Sequence, residues 1–434
     1  MIPSDHPRIF LAYLAVLVAA PLPLGSNRDW AWPLLCAAIF LLTAQLALRP
    51  QAAMTGAARQ LLLLGALALW MLVQATGLPF LFDGFALDAA LTRNAFLQTL
   101  GYAAFAYLTI QLVRTARGVA WVVGVLVIGA TFQVGLALQQ LVMQSMESGS
   151  GLGIGYFRAA GTYASPNHLA GHLHQVLGLA LGLLLVGHSR HASLPWREQV
   201  VAFVTGPGLR LRLLVVLLAA GLVMTLSRGG NIAFVAALGL AAAVASVASR
   251  RVSTPMVVLL VSVLLVDVAV VGQHYGFERL RERVGGATLE NEFRDDLLTL
   301  HAAMVRDHGL IGVGAGNYAA IAPRYRTADV PGRLTHAEND YAQFAIELGV
   351  PGCICLALFL AGAVRQQWRL LRCASDPALQ AVGFGCLVAT LAMLVHGLVD
   401  FNLRIPANTL LFVLALTIPF GLDPTGGPAD RDSG

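Results

Sequence analysis

Apolar runs of roughly membrane-crossing length recur along nearly the whole chain. They fall near residues 9–24, 30–48, 60–78, 94–113, 118–142, 168–187, 211–227, 231–248, 256–272, 341–364, 378–399 and 407–422. A helix spanning the hydrocarbon core needs about 20 residues. The pattern therefore predicts an all-α polytopic membrane protein with about twelve transmembrane helices, forming a single integral membrane domain over residues 1–434. One connection differs from the others. Residues 273–340, between the ninth and tenth runs, form a long loop, and a loop of that length carries structure of its own. Phe293, Leu297, Leu300 and Met304 recur at helical spacing, so the segment 292–306 is expected to be an amphipathic helix.

Composition supports a bilayer as the solvent. Only 12% of residues are charged, against about a quarter in soluble domains, and the mean hydropathy is +0.72. All 28 basic residues are arginine. Any oxyanion bound by this chain would thus meet guanidinium groups, which bind carboxylate and phosphate in bidentate fashion. The arginines are dispersed among the spans, which argues against nucleic acid as a partner. Cys36, Cys353, Cys355, Cys373 and Cys386 lie in or beside apolar runs and imply no disulfide framework. The first run, Arg8 to Gly25, lacks a small-residue cleavage site and reads as a retained helix.

Arginine placement sets the orientation. With the N-terminus in the cytoplasm, the cytoplasmic segments hold Arg8, Arg49, Arg59, Arg114, Arg117, Arg190, Arg197, Arg210, Arg212, Arg250, Arg251, Arg365, Arg369, Arg372 and Arg431. The short external loops hold only Arg28, Arg93, Arg158, Arg228 and Arg404. This asymmetry follows the positive-inside rule and places both termini in the cytoplasm. The loop 273–340 is then external, and its arginines invite an anionic ligand.

The candidate chemistry gathers on that external side. In Arg158 to His174, Ser165 followed by Pro166 reads as an N-cap with proline at the first helical position. The helix would turn its positive dipole end outward, close to Asn167. His168 and His172 share a helix face, but no acidic partner stands at metal-site spacing. Ser227-Arg228-Gly229-Gly230 forms a tight turn. Arg228 either snorkels to the interface or contacts a phosphate, and the glycines would let backbone amides approach a ligand. The run Gly309 to Tyr318 is glycine-rich but lacks the strand and the Gly-Lys-Ser/Thr of a nucleotide loop, so it is expected to shape a cavity.

Thr335 to Glu347 is the densest polar stretch. Thr335 and Glu338 have capping-box spacing. A helix starting there would carry His336, Asn339, Asp340, Gln343 and Glu347 on one face, with Glu347 roughly 9–14 Å inside its start at 1.5 Å per residue, where ionisable groups are costly. His396, Asp400 and Arg404 stand four apart and would share a second helical face. Asp267 is a lone acid in the ninth run.

The motifs GTYASPNHLAG, SRGG, RDDLL followed by GVGAGNY, HAENDYAQFAIELGVPG and HGLVDFNLRIPAN, in that order over residues 155–420, resemble the O-antigen ligase and polymerase superfamily. That resemblance implies a C-type membrane glycosyltransferase of the bacterial inner membrane, with a periplasmic active site. Its donor would be a glycan on undecaprenyl pyrophosphate, and its acceptor lipid A–core or another glycan. The reaction would be metal-independent and inverting, with no cofactor. The resemblance assigns the donor pyrophosphate to Arg228 and to Arg294, whose Leu298 completes an Arg-x3-Leu spacing; Arg158 and Arg404 join them as candidates. The family's base histidine precedes a polar residue, nine others and Gly-x-x-Gly. Counting back from Gly349 and Gly352, that position is Glu338, with His336 two residues earlier. Either could take the proton, with Asn339, Asp340, His396, Asp400 and Asn167 in support. A polymerase of O-antigen or exopolysaccharide is the alternative within the superfamily. A lipid-linked glycan transporter is the alternative in another class, and it would instead show ionisable groups near the midplane and repeat symmetry.

Overall fold

The computed structural model describes residues 2–50, 56–78, 82–147, 158–188, 197, 208–249, 297–326 and 334–424. Eleven long helices follow one another: α1 (Pro7–Ala19), α2 (Ala31–Ala47), α3 (Ala58–Thr76), α4 (Ala89–Leu112), α5 (Ala116–Glu147), α6 (Pro166–His188), α7 (Leu209–Met224), α8 (Arg228–Ser249), α9 (Asp340–Cys373), α10 (Pro377–His396) and α11 (Pro406–Gly421) among the described residues. The extended structure among these residues is a two-residue ladder pairing Gly77–Leu78 with Phe82–Asp83. The protein is therefore all-helical in class. Six helices, α3, α5, α6, α8, α9 and α10, are long and apolar enough to cross a membrane, while α1, α2 and α11 are shorter apolar helices. The ninth apolar run, 256–272, with Asp267, lies outside the described residues.

The centre of the bundle is the pair α6 and α10. Glycines let their backbones approach: a Cβ at Gly178 would lie 2.7 Å from Ala389 N, and one at Gly182 would lie 2.6 Å from Ala381 O. Small residues at a helix crossing allow this packing in lipid, where the hydrophobic effect drives no association between helices. Between α1 and α4, Phe10, Tyr13 and Phe105 stack, and the Tyr13 hydroxyl hydrogen-bonds Thr109 Oγ1 at 2.8 Å.

The long loop folds onto the bundle. Residues 297–308 are helical, and Leu297, Leu300 and Met304 are buried, as the periodicity predicts. Leu300 and Met304 pack with Val313, Tyr318, Ile321, Ala337 and Ile346 in a core separate from that of the bundle. Phe293 lies outside the described residues.

Three sequence expectations need correction. Thr335 and Glu338 do not cap α9. Asn339 is the N-cap, its side chain accepting from Ala342 N–H at 2.9 Å, and Glu338 takes a left-handed backbone with φ +50° just before it. Nor is α9 a continuous rod. At Gly349 (φ +63°, ψ −170°) it breaks, leaving Asp340–Leu348 as a short helix ahead of the long segment that Pro351 opens. The Val350 N–H donates to Gly309 O and Leu310 O across that break. Glu347 therefore ends a short helix in the layer made with the loop, rather than lying inside a continuous span. Finally, His396, Asp400 and Arg404 do not share a helix. α10 stops at His396, and Arg404 sits in the 3-10 turn Asn402–Arg404. Pro406 begins α11 and biases the residue before it away from helix.

Candidate functional site

The segments that carry the polar motifs meet at one end of the bundle. Thr162 Oγ1 donates to Pro21 O, the side chain of Gln133 accepts from Thr162 N–H, and Asp340 N–H donates to Gly397 O. At the other end, α4, α5 and α11 come together with the N-terminal segment: Gly421 packs on Val113, and Gly118 faces Pro3.

α6 starts at Pro166, and Ser165 Oγ accepts from Asn167 N–H at 3.2 Å, so the expected N-cap is present. It sets Asn167 and His168 on the first turn. Arg158 reaches over this turn. Its Nη2 donates to Asn167 Oδ1 at 2.6 Å and its Nε to Thr225 O at 3.0 Å. Asp400 lies behind, 3.8 Å from His168 Nε2, and accepts from Phe401 N–H at 2.7 Å. Burial pushes the Asp400 carboxyl up to about 6, while Phe401 N–H, Asn167 and Arg158 favour its charged form.

Phe401 joins the two halves of the site. The His168 ring meets it edge-on at 4.9 Å. His336 stacks on it face to face at 4.1 Å and 11°. Burial, and then the charge of Arg404, hold His336 down to about 4, so its ring is neutral at pH 7. Arg404 ion-pairs with the buried Glu347 and lies over the Phe344 ring at 5.0 Å. Burial draws its guanidinium down to about 10, so it remains a cation at pH 7.

Glu347 is the hub of the inner layer. Its carboxylate also accepts from Gly316 N–H at 2.9 Å, Tyr318 N–H at 3.1 Å and Gln343 Nε2 at 3.0 Å. The glycine-rich turn thus wraps an internal carboxylate with its own amides, an anion nest filled by the protein. Gly312, Gly314 and Gly316 all have positive φ there, a conformation open to glycine at little cost.

Arg228 is the first residue of α8 and is exposed. The glycines after it are used for packing: a Cβ at Gly229 would lie 2.7 Å from Val399 Cγ2 and 3.3 Å from the His396 ring, and one at Gly230 would lie 2.7 Å from Ala170 Cβ. His396 is buried, and its Nδ1 lies 3.1 Å from His174 Nε2 and 3.3 Å from Asn402 Nδ2. His172 instead faces Tyr163. Among the described residues no group of three His, Cys, Asp or Glu side chains could hold a metal ion.

Of the residues singled out in the sequence, His336 stacks on Phe401 and Asp400 accepts from its N–H, while Arg158 and Asn167 hold the adjoining first turn of α6 and Arg404 reaches Glu347 on the other side. Asn339 and Asp340 clamp the turn that carries Phe401, through Asn339 Nδ2 to Leu398 O at 2.9 Å and Leu403 N–H to Asp340 Oδ2 at 3.1 Å. His396 lies one layer beneath, against the turn of Arg228. Glu338 is exposed beside His336. Arg294 lies outside the described residues. Sequence reasoning missed Phe401, and it missed four buried polar residues beneath the site: Gln74, which donates to Ile311 O and Glu347 O, His174 against His396, Gln175, which donates to Asn408 O, and Asn408, which donates to His168 O. Polar residues within apolar helices were the signal for the last four.

The fold and site define a multi-pass helical membrane protein with a polar centre at one end of its bundle. Residues 213–357 match the family model described as O-antigen ligase, so the family resemblance carried by the motifs is borne out. No curated protein matches the chain. The matched segment contains Arg228, the glycine-rich turn, His336, Glu338 and Glu347; Arg158, Asn167, Asp400 and Arg404 lie outside it.

Proposed function

We propose that this protein is an O-antigen ligase-type glycosyltransferase. It moves a glycan from undecaprenyl pyrophosphate to an acceptor hydroxyl, that of lipid A–core, at the periplasmic face of the inner membrane. The observation that carries this reading is a run of polar groups at one end of the bundle: Phe401 lies between His168 and His336, His168 faces Asp400, Arg158 spans Asn167 and Thr225, and the glycine after Arg228 packs against Val399 and His396. The family match over residues 213–357 supports it.

The chemistry follows from the groups present. The acceptor oxygen attacks the anomeric carbon from the face opposite the leaving group, inverting it, and the bond to the phosphate oxygen breaks. Pyrophosphate leaves as an anion, and arginines stabilise the charge that develops on it. Arg228 and Arg158, at the rim, contact the pyrophosphate, joined by Arg294 of the long loop. Arg404, the fourth candidate, is paired with Glu347 and would meet the pyrophosphate only as part of that pair. Two side chains stand at the family's base position, Glu338 and, two residues earlier, His336, and one of them takes the acceptor's proton. Metal plays no part in this scheme.

Deletion of the gene tests this reading. Accumulation of full-length carrier-linked polymer with loss of its transfer to lipid A–core supports a ligase. Collapse to single repeat units points to the polymerase alternative. Carrier-linked glycan trapped on the cytoplasmic side contradicts transferase function altogether.

A further inference from the structure

We infer that His336 presents an Nε2–H donor to an anionic oxygen of the ligand, because Gln343 fixes its tautomer, and that it is therefore an anion ligand rather than a proton acceptor. Glu347 sets the orientation of the Gln343 amide. Its carboxylate is met by two backbone N–H groups and by Arg404, all of them donors, so a further neighbour at hydrogen-bond distance must also donate. That neighbour is Gln343, 3.0 Å away. Gln343 is buried, and its other end accepts from Ala337 N–H at 3.1 Å. The orientation of the amide is thus set twice, with its oxygen toward Ala337 and its nitrogen toward Glu347. The same nitrogen faces His336 Nδ1 at 3.5 Å, a long hydrogen bond in which the amide donates.

A neutral imidazole whose Nδ1 accepts carries its proton on Nε2. Stacking on Phe401 fixes the ring plane, so Nε2–H is offered on the side away from Gln343. Burial, and then Arg404, disfavour the imidazolium, which keeps this donor neutral. A neutral N–H held in a fixed direction suits an oxyanion, which can only accept. Under the donor reading proposed above, on which the identity of the ligand rests, that oxyanion is the sugar pyrophosphate. Gln343 is then a positioning residue, acting through His336.

Two measurements on the full chain in detergent test this. The first is nitrogen NMR on protein labelled with 15N-histidine, with the His336 signals assigned by their loss in His336→Gln. The expected result at pH 7 is a protonated Nε2 and an unprotonated Nδ1, with that pattern lost in Gln343→Leu. A protonated Nδ1 in the wild type would overturn the tautomer and the inference. The second is binding of undecaprenyl pyrophosphate. Glutamine can place an amide N–H near the position of imidazole Nε2–H. His336→Gln should therefore bind close to wild type, and His336→Ala roughly tenfold more weakly, as expected for one hydrogen bond to a charged group. Equal weakening in both variants overturns the donor role. Wild-type protein that does not bind undecaprenyl pyrophosphate overturns the donor reading, and the nitrogen shifts still decide the tautomer.

Discussion

Arg404, between α10 and α11, forms an ion pair with Glu347, the penultimate residue of the short helix that opens α9. The pair ties the loop layer to the bundle directly beneath His336. Removing one partner of a buried pair leaves a charge without compensation, at a cost of about 3–5 kcal/mol. Glu347→Ala should therefore lower the apparent melting temperature in detergent by many degrees. Replacing both partners, as in Glu347→Leu with Arg404→Met, should cost less than the sum of the two single changes. Strict additivity would mean that the two residues act independently.

Gly171 offers a packing test with an internal control. A Cβ there would lie 2.1 Å from Asn402 Oδ1 and 2.9 Å from Asn408 Nδ2, whereas Gly239 has nothing within 4 Å. Gly171→Ala is expected to destabilise by about 1–3 kcal/mol, the usual cost of overpacking, and to disturb the Asn402–His396 contact. Gly239→Ala should be neutral or raise stability by up to about 1 kcal/mol through helix propensity. Thermal unfolding of the two variants side by side checks the contrast.

The histidine under Phe401 should make stability depend on pH in a defined direction. His336 is held at about 4 in the fold against an ordinary value of 6.5, by burial and then by Arg404. Its contribution is fully present above pH 6.5. As pH falls toward 4 the unfolded chain binds the proton first, and that contribution is lost. Asp400 acts oppositely. Burial raises it from 3.8 to about 6, so it favours the fold as pH drops through that window. Comparing wild type with His336→Gln isolates the histidine. The melting temperature of the wild type should fall relative to the variant between pH 7 and pH 5. A constant gap would mean that His336 titrates normally.

Arg158 spans Asn167 and Thr225, and its predicted role lies in the chemistry more than in the fold. Arg158→Ala should leave the protein in the membrane but reduce glycan transfer by about 10²–10³-fold, the range seen when one preorganised donor to a developing oxyanion is removed. Arg158→Lys should recover little, because a point charge cannot reproduce the bidentate fork. Transfer near wild-type level in Arg158→Ala would remove this residue from the pyrophosphate site.

Much of the fold was legible because lipid imposes a simple pattern. Apolar length and periodicity located the helices, and the Ser165-Pro166 start of α6 was written in local chemistry. Leu300 and Met304 likewise marked the buried face of the loop helix. What could not be read was set by long-range contacts. The break at Gly349 needs Gly309 and Leu310 to accept from Val350 N–H, partners some forty positions away. His396, Asp400 and Arg404 follow helical spacing, yet the chain leaves the helix after His396. The four-residue repeat carried no information about where α10 ends. Phe401 looked like one more apolar residue, and its role between His168 and His336 appears only when α6 and the loop are packed on either side of it.

Glycan transfer from a polyprenyl pyrophosphate is the reaction proposed for the centre around Phe401. The most direct measurement combines purified protein in lipid with an undecaprenyl-pyrophosphate-linked glycan and a lipid A–core acceptor, with chelator present, and follows the joined product. We predict transfer by the wild type and loss of at least about 10²-fold in Arg228→Ala with normal protein folding. Wild-type protein that neither transfers nor extends the glycan, or an Arg228→Ala variant of full activity, would contradict the account.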